Sequence, residues 1–190
     1  DVAPFESADF RVAISEVKGD GLPPFYADMF FQSIPDRFMD IDVDWEWTED
    51  SEYVPIVLPR DFLMIINYGI AQSQGFNQIS EELMLAARLT IHLKGETKND
   101  KKIGRVVGFS QKISSILVPK SFLDYSNAEF GSGNKLQPNR IIITTVDDSY
   151  GELEDLMEDM NLDIANSSID VAKIKTIISV VIGIFVIAAI

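Results

Sequence analysis

Val57-Leu58-Pro59-Arg60-Asp61-Phe62-Leu63 is echoed 60 positions later by Leu117-Val118-Pro119-Lys120-Ser121-Phe122-Leu123, and Asn67 falls on Asn127 at the same offset. Each copy reads as a buried strand, a proline and a helix. Proline suits that junction because its fixed φ fits the first helical turn and it gives up no needed hydrogen bond. Gly69 and Gly131 are the expected helix stops. With four identities, duplication and convergence on one local architecture both stay open. Between the copies, Leu89, Ile91 and Leu93 alternate with Thr90, His92 and Lys94. A polar stretch at 95–102 and an apolar run at 103–109 follow, which predicts a β-hairpin. Residues 51–137 are therefore expected to form a mainly-β lobe with short helices.

The flanks have a different rhythm. Phe10, Val12 and Ile14 alternate with polar or small residues and predict a strand. Gly19, Gly21, Pro23 and Pro24 break the chain. Phe25 to Ser33 is expected to be helical, and its Phe25, Tyr26, Met29, Phe30 and Phe31 are too broad for one buried stripe, so part of that run is open to a neighbouring lobe or partner. Met39, Ile41, Val43, Trp45 and Trp47 then alternate with Asp40, Asp42, Asp44 and Glu46. This period-2 pattern predicts a strand with one dry and one wet face. Near the other end, Ile141–Val146 reads as a β-branched strand. Ser149–Met160 reads as a helix with Leu153, Leu156, Met157 and Met160 on one face. Leu162–Ile164 could start a further strand. Two βαβ-like units would thus bracket the chain.

The expected fold class is α+β. A ferredoxin-like lobe is built from residues 1–50 and 138–172. An inserted, mainly-β lobe spans 51–137. The start of a transmembrane helix spans 173–190.

That last assignment rests on residues 176–190, TIISVVIGIFVIAAI, which hold no charge and no proline. A spanning helix needs roughly 20 apolar residues, more than this run supplies before the sequence ends. Ile177, Ile178, Val180, Val181, Ile182, Ile184, Phe185, Val186 and Ile187 are the residues expected to lie in lipid. A buried core helix is the competing reading, but a run without any polar face is unusual in a water-soluble helix. The sequence opens at Asp1 without a signal-like run, so it reads as a fragment with its export signal or first membrane helix upstream.

Composition narrows the function. The 190 residues are 46% apolar and 10% aromatic, enough for a sizeable core and too rich for a wholly disordered chain. The absence of cysteine excludes disulfides, thiolate zinc sites and cysteine nucleophiles. The net charge is −14, and Lys173 and Lys175 are the only charges after Asp170, which leaves −16 on the first 170 residues. Such a surface repels phosphate backbones and argues against nucleic acid.

No constellation of reactive side chains stands out. Asp40, Asp42 and Asp44 invite a calcium loop, but Trp45 and Ser51 occupy the places where that loop wants Gly and Glu. A solvated strand face explains them. Gly131-Ser132-Gly133-Asn134-Lys135 lacks phosphate-loop spacing and reads as a helix stop and linker. His92 is the sole histidine and is expected to be exposed on a polar strand face. No nucleophile elbow surrounds it. The Glu152–Asp159 face of the expected helix reads as solvated. Asn166-Ser167-Ser168 matches a glycosylation sequon, a triplet common by chance. No catalytic, cofactor-binding or metal residue is assigned.

The order VPIVLPRDFL (54–63), GRVVGFSQKISSILVPKSFLDYSNAEFG (104–131), NRIIITTV (139–146) and an apolar helix resembles the extracytoplasmic domain of FtsX/MacB-like ABC-transporter permeases, in a Bacteroidetes-type version. The resemblance covers nearly the whole chain, and Arg105–Gly131 is its most specific part. It implies a non-catalytic domain between the first two of four membrane helices, with residues 1–50 and 138–172 as its porter-type lobe and 51–137 as its inserted lobe. Residues 1–172 would lie on the periplasmic side of a bacterial inner membrane. The implied partners are a cytoplasmic ATP-binding subunit or domain, a second permease subunit in a dimer, membrane lipid and an extracytoplasmic protein. ATP-driven closure would move the domain to expel a substrate or handle a lipoprotein. The alternative is a docking platform that recruits a cell-wall hydrolase or adaptor. The very acidic Asp40–Glu46 stretch departs from the best-known members and leaves the substrate open. A tethered hydrolase is a third reading, for which the sequence offers no site.

Overall fold

The computed structural model describes residues 1–18, 21–71, 77–133, 138, 140–144, 157 and 159. The chain divides into two units, Asp1–Thr144 and Thr145–Ile190. In chain order the first unit carries β1 (Val2–Pro4), β2 (Glu6–Ser7), β3 (Arg11–Glu16), β4 (Tyr26–Met29), β5 (Phe31–Ser33), a 3-10 turn (Asp36–Phe38) and β6 (Val54–Pro59). There follow α1 (Arg60–Ile65), which runs on as a π-helical turn through Ile66–Ala71, then α2 (Glu81–Ala86), β7 (Arg88–Lys94), β8 (Asn99–Ser110), β9 (Ile116–Leu117), α3 (Lys120–Phe130) and β10 (Ile141–Ile143). It is an α+β unit with a mixed sheet and few helices.

Eight strands form one sheet in the order β2-β5-β9-β6-β8-β7-β3-β4. Its two ends belong to a single hairpin. Only Ala8, Asp9 and Phe10 separate β2 from β3, and only Phe30 separates β4 from β5. One half of this hairpin is held to β7 through β3, and the other half to β9 through β5. The Ala8 N–H bonds the Phe31 carbonyl at 3.0 Å across the bend. The sheet therefore curls until the two halves of one hairpin close it, which leaves little free edge.

The echo in the sequence is a two-fold in space. β6 and β9 are antiparallel neighbours, and the paired residues are Val57 and Leu117, which the echo aligns. Outside them, β8 lies parallel to β6 and β5 parallel to β9. Each central strand leads into a proline in extended geometry, Pro59 at φ −59° as the last residue of β6 and Pro119 at φ −54° two residues beyond β9, and the helix starts at the next residue. The proline thus caps the helix instead of occupying its first turn. Asn67 and Asn127 then do one job. The Asn67 side chain accepts from the Ile79 N–H at 2.7 Å and donates to the Ile79 carbonyl at 2.9 Å. Asn127 accepts from the Asp9 N–H at 2.7 Å and donates to the Ser7 carbonyl at 3.2 Å. Each amide stands in for a missing strand partner, so buried backbone groups stay paired.

β6 is buried on both faces, which is why its sequence is an unbroken apolar run. Val54, Ile56 and Leu58 pack with Val12, Ile14, Phe31, Ile91, Leu93, Val106, Val118 and Phe122. On the other face, Val57 and Leu117 pack with Phe5, Ile34, Phe38 and Ile113.

Residues 39–47 cover this second cluster as a strap. Their apolar members Met39, Ile41, Val43 and Trp45 are half-buried against it, while Asp42, Asp44 and Glu46 are exposed. The alternation expected from the sequence holds, but these residues form no ladder and are not a strand. Period 2 records one wet and one dry side of an extended chain, whether or not that chain pairs. Gly108 makes room beneath: a Cβ there would meet Ile41 Cδ1 at 2.8 Å and Val43 Cγ1 at 3.3 Å.

Other expectations need correction. Residues 25–33 are strands, β4 and β5, not a helix; Phe31 is fully buried whereas Phe30 is 86% exposed. Aromatic and branched residues suit strands as well as helices, and closing the sheet decides between them. The first βαβ-like unit of a ferredoxin-like lobe is therefore not formed. Strands from 1–50 and from 51–137 share one sheet, so those stretches are not separate lobes. The helix after β6 does not stop at Gly69 but continues to Ala71. The β7–β8 hairpin and the α3 stop at Gly131 are as expected. Of the expected 149–160 helix, Met157 and Asp159 are helical and the rest lies outside the described residues. So do Leu162–Ile164, the end of the 141–146 strand and the whole 173–190 segment.

Candidate functional site

Three features of the first unit bear on function. The first is where the chain enters and leaves it. β1 and β10 form their own antiparallel pair, with Val2 opposite Ile143 and Pro4 opposite Ile141. The Asp1 amino group donates to the Thr144 carbonyl, and the Thr144 N–H to the Asp1 carbonyl, both at 2.8 Å. Phe5 N–H bonds the Arg140 carbonyl at 3.0 Å. Two segments about 140 residues apart are thus zipped side by side. Ala3 is buried and Ile142 packs beside it in the second cluster, so the zipper is fastened to the body. Arg140 adds hydrogen bonds to Ser115 Oγ at 2.6 Å and Ser114 Oγ at 3.2 Å, and lies 4.7 Å over the Phe5 ring.

The second feature is the anchored strap. Asp40 accepts from Ser110 Oγ at 2.6 Å and from the N–H groups of Gln111 and Lys112 at 2.9 and 3.1 Å. Ser110 Oγ in turn accepts from the Ile113 N–H at 2.9 Å. Burial pushes the Asp40 carboxyl up, but these hydrogen bonds outweigh it and hold it below the usual carboxylate range. Of the three aspartates in the sequence run, Asp40 is structural, whereas Asp42 and Asp44 face solvent. The three do not converge. Among the described residues no group of three or more His, Cys, Asp or Glu could hold a metal. At the far end of the strap, Trp47 is buried with its ring 5.0 Å from Phe122 and 5.4 Å from Tyr125, and its carbonyl accepts from Ser121 Oγ at 2.8 Å. The strap is therefore tied at one end to the close of β8 and the turn after it, and at the other end to α3.

The third feature is surface that the fold leaves uncovered. Met64, Ile65 and Tyr68 on the helix after β6 are 53–63% exposed. His92 is half-buried, not fully exposed as its sequence position suggested. It hydrogen-bonds Ser15 Oγ at 3.0 Å and packs 5.2 Å from the Tyr26 ring. Desolvation, aided by Lys101 and Lys94, holds its pKa below the usual value, so the imidazole is neutral at neutral pH. Gly131 caps the end of α3, and residues 134–137 lie outside the described residues. The residues expected in lipid, from Ile177 to Ile187, also lie outside them. Among the described residues no helix is long and apolar enough to cross a membrane.

Sequence reasoning found the strap and both asparagines, but not the β1–β10 zipper. Its signal was only an apolar triplet at 141–143, and nothing in Val2-Ala3-Pro4 announces a partner.

The first unit is a curled α+β domain whose residues 1–5 and 140–144 are fastened side by side. A family model described as PCD-like, a probable transporter periplasmic core domain, matches residues 1–167. The chain belongs to this family. It is a periplasmic core domain of a probable transporter. No curated protein and no solved structure matches it significantly.

Proposed function

We propose that this domain is the moving external part of an FtsX/MacB-like ABC-transporter permease. It couples ATP hydrolysis in a cytoplasmic subunit or domain to mechanical displacement outside the inner membrane, for export or lipoprotein handling. The observation that supports this reading is the β1–β10 zipper. A domain inserted between two membrane helices receives force through both flanking chains. With residues 1–4 and 141–144 paired, both pulls arrive at one point and turn the closed sheet as a body. Pulling the two flanks apart would instead open the zipper one hydrogen bond at a time. The reading therefore requires the two flanking helices to move together, with Ile177–Ile187 in lipid and a second permease subunit alongside.

Val2 and Ile143 offer the test. Their neighbours Asp1 and Thr144 exchange both backbone bonds, so Val2 and Ile143 form the close, non-hydrogen-bonded pair that suits a disulfide. The chain has no cysteine to interfere. In the intact transporter, Val2→Cys/Ile143→Cys should keep ATP-driven activity after oxidation. Activity lost on oxidation and regained on reduction would show that the flanks must part.

A docking platform for a cell-wall hydrolase or adaptor is the second reading, and exposed Met64, Ile65 and Tyr68 favour it. Replacing all three by Ser would abolish partner recruitment while leaving ATP turnover unchanged.

A further inference from the structure

The strap at 39–47 has a strand's side-chain pattern and no strand beside it. Burial alternates without a break from Ile41 to Trp47. Asp40 and Trp47 fix its ends, and its dry side lies on the second cluster. Among the described residues, however, no backbone N–H or carbonyl from Ile41 to Glu46 has a protein partner. In an extended chain these groups point sideways, those of every second residue to the same edge. The six residues form a template about 20 Å long. A row of unpaired groups of this kind accepts a further strand.

The space beside the strap fits that use. Ile41, Val43 and Trp45 line an open groove of about 320 Å³ together with Asp42, Asp44 and Glu46. Both faces of the strap contribute, so the groove runs along its edge and not over one side. The indole N–H of Trp45 is buried and has no acceptor among the described residues. A buried donor without an acceptor is unfavourable, and an added strand brings backbone carbonyls.

Charge selects the occupant. Asp42, Asp44 and Glu46 are exposed on the wet side. Residues 38–59 hold seven acids and no Lys or Arg. Two cations lie at the start of the strap. Arg37 is 3.8 Å from the Asp1 carboxylate, and Lys112 gives its backbone N–H to Asp40. Among the described residues neither these nor any other cation forms an ion pair with Asp42, Asp44 or Glu46. The strap of a second copy would set acids against acids. An anionic membrane would be repelled in the same way.

We infer that this edge takes an extended, basic segment of a partner protein, added as a strand. Lys or Arg at alternate positions lies beside Asp42, Asp44 and Glu46, and apolar residues between them lie beside Ile41, Val43 and Trp45. Ladder hydrogen bonds supply affinity, and the alternating side chains set the register. Opposite charges on neighbouring strands attract at this spacing. The strap is already held extended at both ends, so binding orders chiefly the partner. The inference does not depend on ATP-driven movement, and its failure would leave the relay reading untouched.

The test uses the 190-residue chain and a fluorescent eight-residue peptide that alternates Lys with Val, followed by anisotropy at low and physiological salt. The expected result is saturable binding that weakens with salt, with slowed hydrogen exchange at residues 41–46. Asp42→Lys/Asp44→Lys should weaken binding about tenfold or more. Asp44→Asn/Glu46→Gln, a milder change, should still lose several-fold. Asp28→Lys/Glu96→Lys, the same charge change at exposed acids that do not line the groove, should leave affinity within about twofold. Circular dichroism and melting confirm that each variant is folded. Two further peptides, each N-methylated at alternate residues so that one edge or the other cannot pair, separate strand addition from charge alone. At least one of them should lose about tenfold or more. Absent binding, equal loss from the control pair, or unchanged binding of both methylated peptides overturns the inference. So does a dimer of the unaltered chain that Asp42→Lys/Asp44→Lys dissociates, since the occupant would then be a second copy.

Discussion

Asn127→Ala removes the device that fixes the bend where one hairpin passes from one half of the sheet to the other. The Asn127 side chain makes two bonds, from the Asp9 N–H at 2.7 Å and to the Ser7 carbonyl at 3.2 Å. Each is worth about 0.5–1.5 kcal/mol net, so the pair is worth about 2 kcal/mol. The neighbouring contacts stay: Ser132 Oγ still bonds the Asp9 carboxylate at 2.9 Å, and Ser132 N–H the Asp9 carbonyl at 3.2 Å. They keep the loop near its place, so the loss is not larger. For a domain of about 150 residues, 2 kcal/mol lowers Tm by about 4–8 °C. Thermal melting followed by near-UV dichroism measures it, with urea unfolding as a second route. Hydrogen exchange should show the loss concentrated in residues 6–10 and 29–33. Asn127→Asp should do no better than Ala, because a carboxylate cannot donate to the Ser7 carbonyl. A Tm within about 1 °C of the parent in both variants would refute the reasoning. So would a stable Asn127→Asp beside an unstable Asn127→Ala, since it would mean that the accepted bond alone matters.

Asp40→Asn should destabilise the unit at neutral pH, by about 1–2 kcal/mol on ordinary charge-assisted hydrogen-bond values. Because the Asp40 pKa is lowered on folding, its contribution is complete above the unfolded value of about 4 and is lost as pH falls through the folded value. The gap between parent and variant in urea midpoints should therefore be constant from pH 7 to 5 and narrow below about pH 4. Gly108→Val should lift the strap, because its Cβ meets Ile41 and Val43, and should speed limited proteolysis within 39–47. Gly104→Val should be worse for the whole fold, by about 1–3 kcal/mol. Its Cβ would meet Ile56 Cδ1 at 2.8 Å and Ile91 Cδ1 at 2.9 Å inside the sheet, and urea unfolding checks the order.

The parts of this fold that local chemistry specifies were readable in the sequence. The β7–β8 hairpin follows from strict alternation, and the strand–proline–helix copies follow from proline's fixed φ. Asn67 and Asn127 stood out by position, although only the coordinates show that both clamp backbone. What sequence alone misread depends on distant partners. Residues 25–33 carry an aromatic run that suits a helix until β3 and β9 claim its two halves as strands. Residues 39–47 have a strand's period without a strand's partner, because a flat apolar surface selects the same alternation as a ladder does. The boundary expected at 50 crosses one sheet for a similar reason: β3 pairs with β7 and β5 with β9, and no local signal records either pairing.

The most direct measurement of the central claim is the height of this domain above the membrane during ATP turnover. A dye on Glu96→Cys, exposed in the β7–β8 turn, would report by energy transfer to acceptor lipids in vesicles holding the intact transporter. If ATP hydrolysis displaces the domain as a body, transfer should change on adding ATP, return on its exhaustion and stay fixed in an ATPase-defective variant. Transfer that is the same with and without ATP, in a transporter shown to be hydrolysing it, would contradict the mechanical role.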